Sequence, residues 1–360
     1  MKFFYGFIGN IKIFLFLCKK INIMGGHALK NTYTERKNTE EFLRIGKEIQ
    51  NKILTDIFLE TVILKCYRAK ADHGDLDLLI KITPNLNINW RTYIQTTFNP
   101  NEIYSNGGVY SFDYQNFQID FIPIKEESWI IAQVYGFFDP LGNCMGKTYH
   151  KFGCSYGWEG LYYKYRNYRG TNSANILLSN DVRKIFEFGG YDYERYLLGF
   201  DTLEDIFKFV IDSKYFDTEM FQMENLKSID KKRNRKRKSY HIFLEYLKEN
   251  NINTKYPFEE DKDLYIADID AAFPEANLLE QLHDLQVKDE FNQALAEKFN
   301  GNIVMQWIPE LQGRELGEMI GEFKMNIGAD YNNYILTTDI EKIHASFMKV
   351  YDIYKSNGEK

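Results

Sequence analysis

Residues Leu64 to Ile80, LKCYRAKADHGDLDLLI, hold a glycine, two carboxylates one residue apart and then an uninterrupted apolar run: Gly74, Asp75, Leu76, Asp77, Leu78, Leu79, Ile80. A strand's period of two sends Asp75 and Asp77 to one face and turns Leu76 and Leu78 into a core. Neighbouring carboxylates repel and raise each other's pKa unless a cation sits between them. A hard, oxygen-loving ion such as Mg²⁺ suits that demand. A third acid lies downstream: Phe117 to Ile124, FQIDFIPI, is a second apolar run with Asp120 in its middle. An acid inside a core strand is costly unless paired or metal-bound. Three acids on two neighbouring strands can hold two metal ions about 3.5–4 Å apart for in-line transfer. Each piece also has a plain reading, since Asp-x-Asp occurs on exposed strands and Asp120 alone suits a sheet edge.

Tyr67-Arg68 followed by Gly74-Asp75-Leu76-Asp77-Leu78-Leu79-Ile80 resembles the palm motif of the DNA polymerase beta-like nucleotidyltransferases. The resemblance implies Asp75, Asp77 and Asp120 as catalytic residues and ligands of two Mg²⁺ ions, with Mn²⁺ as a substitute. A second block, Tyr135 to Leu161, is similar to the segment that follows the third carboxylate in that family. It places Phe137, Phe138 and Asn143 by the nucleotide's sugar and base, and Lys147 by its phosphates; Gly153, Gly160 and Leu161 also fall on the outline. The family has Gly-Ser ahead of the aromatic-Arg pair to hold the triphosphate, whereas this chain has Lys65-Cys66. Glycine is favoured where backbone approaches a ligand closely; in its place Lys65, alongside Arg68, is a candidate for phosphate charge.

The chain has 360 residues, 44% hydrophobic and 27% charged, and a net charge of −6, the profile of a globular protein of about two domains. That charge argues against indiscriminate coating of nucleic acid, so a polyanion must meet a local patch. Cys18, Cys66, Cys144 and Cys154 show no Cys-x-x-Cys spacing, so neither a zinc site nor a disulfide framework is expected, and a reducing, cytoplasmic setting is.

Residues 1–23 form an apolar leader broken by Asn10 and Lys12, short for a membrane span and lacking a signal-peptide cleavage site; translation from Met24 is the favoured reading. Gly25, Gly26, His27 and Lys30 follow as a candidate phosphate loop, since paired glycines ahead of basic residues can nest an anion. A helix is expected from Thr39 to about Leu59 with Phe42, Ile45, Ile49, Ile53 and Phe58 as its core face, and another near Trp90 to Thr97. Val109–Tyr114 and Phe117–Ile124, joined at Gln115-Asn116, read as a β-hairpin. From Tyr163 onward the pattern reads as helical, with Asp201 capping a helix from Thr202 and two helices between Pro274 and Phe299. Within it lies one basic run, Lys231, Lys232, Arg233, Arg235, Lys236, Arg237 and Lys238, read either as a nucleic-acid patch with Tyr240 for base stacking or as a solvated linker or address signal. Leu311 to Lys324 resembles, loosely, a helix of the tRNA-type nucleotidyltransferases.

The expected architecture is α+β. Residues 24–165 form a nucleotidyltransferase palm, a mixed β-sheet flanked by helices; residues 166–345 form a mainly helical domain, and 346–360 a tail. The expected activity is transfer of a nucleoside monophosphate from a nucleoside triphosphate, ATP among them, to an acceptor hydroxyl, a DNA or tRNA-like RNA 3′ end. A protein or small-molecule acceptor, and an inactive nucleic-acid-binding palm, stay open. No membrane partner is expected, and oligomeric state is not legible.

Overall fold

A computed structural model describes residues 26–358; the leader at 1–23, Gly25 of the candidate phosphate loop and the last two residues of the tail lie outside the described residues. In chain order come β1 (Lys37–Asn38), α1 (Thr39–Ile57), β2 (Thr61–Ile63), β3 (Asp72–His73), β4 (Asp75–Ile82), α2 (Trp90–Phe98), β5 (Ile103–Asn106), β6 (Val109–Tyr114) and β7 (Phe117–Lys125). Then follow α3 (Trp129–Gly136), α4 (Leu141–Lys151), β8 (Cys154–Gly157), β9 (Gly160–Arg166), β10 (Asn172–Ser179), α5 (Val182–Phe188), α6 (Tyr193–Leu197), α7 (Leu203–Ile211), α8 (Ser228–Asn234) and α9 (Lys238–Glu249). The elements that follow among the described residues are all helical. The protein is thus α+β, with a mixed sheet flanked by helices and a helical carboxy-terminal part.

The main sheet has the order β2-β4-β7-β6-β5. β4 and β7 run parallel and the other neighbours antiparallel. Register pairs Leu76 with Ile119, Asp77 with Asp120 and Leu78 with Phe121, so paired side chains share a face. On one face Leu76, Leu78, Ile80, Phe112, Ile119 and Phe121 pack against Ile45, Ile49 and Ile53 of α1 and Trp90, Ile94 and Phe98 of α2. Each such side chain contributes about 1.5–3 kcal/mol by leaving water. On the opposite face Leu79, Ile122 and Ile124 lie under Trp129 and Ala132 of α3. The first residues of β4 and β7 carry on that same face the acids and Gln118.

Local signals explain the boundaries. Asn38 caps α1 by accepting the Glu41 N–H, and Glu40 and Glu41 complement the positive end of the helix dipole. α1 stops at a left-handed Phe58, 82% exposed, so Phe58 is a terminator and not the core residue its spacing suggested. Gln115 and Asn116 turn the β6–β7 hairpin with φ of 51° and 57°, the pair of positive values a two-residue turn requires.

Elsewhere the structure departs from the helical expectation. The chain beyond Gly160 first makes β9 and β10, which join β8 in a second sheet of order β10-β9-β8. Its tyrosine-rich strands alternate, with Leu161, Tyr163 and Tyr165 buried, a period masked in sequence by the shortness of the run. Thr202, not Asp201, caps α7, in a reciprocal capping box with Asp205. Leu278–Lys298 is a single helix through Val287-Lys288-Asp289; that triplet has no Gly or Pro to break it.

The described residues form two compact units, one made of those up to 164 with 176–276, the other of 165–175 with 277 onward. The second unit has its own core, including Phe299, Val304, Met319, Phe323, Ile343 and Phe347.

Candidate active site

Asp75 and Asp77 sit at the first and third positions of β4, and Asp120 lies opposite Asp77 on β7. Adjacent strands run about 4.8 Å apart, so the three carboxylates are neighbours on one face. Their electrostatics agree with that placement. Burial pushes Asp75 up, while the Gly26 N–H and the Lys70 ammonium oppose the shift. Asp77 stands well above the usual carboxylate range, first by burial and then by the charges of Asp75, Asp120 and Asp139. Asp120 is pushed up to about 7 by burial and by Asp75, against hydrogen bonds from Ser111 and Gln118. The donor set is hard oxygen and its charge is only partly offset by Lys70, which is the chemistry a Mg²⁺ or Mn²⁺ site offers. Among the described residues no three His, Cys, Asp or Glu side chains are already gathered as a metal cage.

The candidate phosphate cations are engaged elsewhere. Exposed Lys65 holds its ammonium 4.9 Å from the Phe137 ring centroid. Arg68 pairs with Asp201 at 2.6 Å and donates to the Leu198 carbonyl. Lys147 is buried, 3.7 Å from Asp230 and over the Tyr240 ring, so it is a core cation and not an open phosphate contact. Asn143 reaches Asn234 at 3.5 Å. Phe137 and Phe138 are buried, with Phe138 edge-on to Tyr196 and Phe200, so the aromatic pair serves packing and offers no open stacking face. Cys66 is half-buried, its thiol pushed up by burial and 3.4 Å from Lys70 Nζ.

The loop ahead of α1 divides. Gly26 N–H donates to Asp75 Oδ2 at 3.0 Å, and a Cβ on Gly26 would lie 2.4 Å from the Gly74 carbonyl oxygen. His27 is exposed. Lys30 turns to β5, its N–H on Glu102 and its ammonium 5.9 Å from the Tyr104 ring centroid, so it does not join the acids. In the basic run, Lys232, Arg233, Arg235 and Lys236 are exposed, and Lys231 donates to the Glu224 carbonyl. Tyr240 is fully buried with its hydroxyl on the Phe221 carbonyl, which rules it out for base stacking.

Four residues of the acid neighbourhood carry no clear signal in the sequence pattern used above: Lys70, Ser111, Gln118 and Asp139. Gln118 was within reach, because a residue two before Asp120 shares its face. Asp139 and Lys70 lie outside any periodic element, and nothing in the sequence signals them.

No family model matches the chain, and no curated protein matches it. Among solved structures, a crystal structure of Leishmania infantum polymerase beta in a ternary P/T complex is similar over 44% of this chain and 74% of that one, at 13% identity and a TM-score of 0.34. Among the described residues no helix is long and apolar enough to cross a membrane.

Proposed function

We propose that the protein is a metal-dependent nucleotidyltransferase that moves a nucleoside monophosphate from a nucleoside triphosphate to an acceptor hydroxyl. The observation that carries this reading is the register of Asp77 against Asp120 on parallel strands, with Asp75 on the same face. Three half-buried acids whose pKa values are all raised are a standing cost to the fold, and a cation-requiring reaction accounts for their placement on one face.

Asp75, Asp77 and Asp120 would hold two Mg²⁺ ions, or Mn²⁺ in their place, which when bound would supply charge neutralisation and Lewis acidity at the α-phosphate. In the reaction the acceptor oxygen forms a bond to the α-phosphorus, the bond from that phosphorus to the β-phosphate's bridging oxygen breaks, and pyrophosphate leaves. Asp120 is the residue suited to take the proton from the attacking hydroxyl. The exposed Arg68–Asp201 pair contributes about 0–1 kcal/mol, so a triphosphate displaces Asp201 at little cost. Gly26 contributes backbone close to Asp75. The exposed charges of Lys232, Arg233, Arg235 and Lys236 favour a nucleic-acid 3′ end as acceptor, of DNA or of tRNA-like RNA.

Label transfer from each ribo- and deoxyribonucleoside triphosphate to mixed tRNA and DNA ends, with Mg²⁺ and with chelator, tests the reading. Wild-type transfer that chelator and Asp77→Asn both abolish supports it. A second reading, an inactive nucleic-acid-binding palm, is favoured by Lys65-Cys66 in place of Gly-Ser and by the engaged cations. It prevails if wild type and Asp77→Asn transfer equally little while both bind nucleic acid.

A further inference from the structure

The acids of β4 and β7 are held by a built set of donors. Gln118, only 2% exposed, donates its amide to both Oδ1 and Oδ2 of Asp120, at 3.0 and 3.1 Å. Its own Oε1 accepts the Ala28 N–H at 3.0 Å. Two residues before Ala28, Gly26 donates to Asp75 Oδ2 at 3.0 Å. One short strap therefore ties both strands' carboxylates, across 49 residues to Asp75 and 90 to Gln118. The strap is itself anchored, by buried Leu29 and by the Lys30 and Asn31 N–H groups on Glu102 at 3.1 and 2.8 Å. Gly26 has φ of 78°, and its missing Cβ is what permits the close pass over Gly74. Carboxylates that repel one another have no intrinsic preference for a common orientation, and fixed donors behind them supply one.

We propose that Gln118 and the strap Gly26–Ala28 form one positioning device, which holds the carboxylates of Asp120 and Asp75 in the orientation from which they take up a divalent cation. This rests on the metal-site reading above. Gln118 touches neither substrate nor ion; it acts through Asp120.

The test is Mn²⁺ binding by the purified full chain, read from the electron paramagnetic resonance signal of free Mn²⁺, for wild type, Gln118→Met and Ala28→Pro. The methionine keeps the volume and loses the amide; the proline removes the Ala28 N–H that donates to Gln118 and fixes the local φ. Gln118→Met is expected to bind Mn²⁺ about 10–100-fold more weakly, and Ala28→Pro severalfold more weakly. In transfer assays kcat falls with the Mn²⁺ affinity while KM for the nucleotide stays within about threefold, a split that simple destabilisation does not produce. If Gln118→Met shows no folded transition on heating, Ala28→Pro decides alone. Mn²⁺ affinities within twofold of wild type in the folded variants overturn the proposal, as does wild-type Mn²⁺ binding that Asp77→Asn leaves unchanged. A wild type that binds Mn²⁺ through Asp77, is weakened by the strap variants and transfers no nucleotide keeps the positioning device and overturns the nucleotidyltransferase reading.

Discussion

The acids of β4 and β7 and the basic run of residues 231–238 both concentrate like charge, yet the fold treats them in opposite ways. Asp75, Asp77 and Asp120 are half-buried, and burial raises all three, with the charge of a neighbouring acid adding to each. Lys232, Arg233, Arg235 and Lys236 are left in solvent, while Asn234 between them is fully buried and fastens the segment. Exposed like charges are screened and cost little. Buried ones cost enough that removing a single member is informative. The difference separates a site where charge does chemistry at fixed positions from a surface where charge acts collectively and at a distance.

Asp77→Asn breaks that contrast hardest. It removes the centre of the acid group, so nucleotidyl transfer is expected to fall about 1000-fold or more. The metal-free variant is expected to melt above wild type, because a neutral amide ends the repulsion from Asp75 and Asp120. Calorimetry beside the label-transfer assay reads both, and a variant that loses stability along with activity refutes the electrostatic account.

The next effect is on pH. Asp120 keeps its proton to about pH 7 in the folded chain and loses it near 3.8 when unfolded, so between these values the folded state binds the extra proton. Stability contributed by this group is present at low pH and falls as pH rises through that window. His73 opposes it: burial holds its pKa down to about 4, so its contribution grows between about 4 and 6.5. The clean measurement is therefore the difference in Tm between wild type and Asp120→Asn without divalent ions. Wild type is expected to lose several degrees relative to the variant between pH 5 and 8, and a flat difference would mean that Asp120 titrates normally.

The sequence carried the acid face further than the cation sites. Period-two alternation through Leu76, Leu78, Ile119 and Phe121, with a turn at Gln115-Asn116, sufficed to pair the strands and put three acids together. What it missed depends on long-range encounters. The partner of Arg68 comes from Asp201, that of Lys147 from Asp230, and the donor to Gln118 from Ala28. No local pattern encodes these meetings. Tyr240 shows the same limit from the other side: its place beside a basic run suggested an exposed ring, but its helical phase with Phe243 and Leu247 turns it into the core.

The smallest expected effect bears on the exposed side of the comparison. Replacing Arg235, Lys236 and Arg237 together by alanine leaves the acids untouched, so Mn²⁺ binding and transfer to a saturating acceptor should hold within about twofold. Affinity for the acceptor should fall about tenfold at low salt. The slope of log affinity against log salt should flatten by about 0.7–0.9 for each phosphate that is no longer neutralised. Arg237 is half-buried whereas Arg235 and Lys236 are exposed, so the flattening expected is that of the two exposed charges. An unchanged slope would assign the run to solvation alone. A changed kcat at saturation would be the more interesting failure, because it would mean that these charges reach the reacting phosphates and that the two kinds of charge do not act independently.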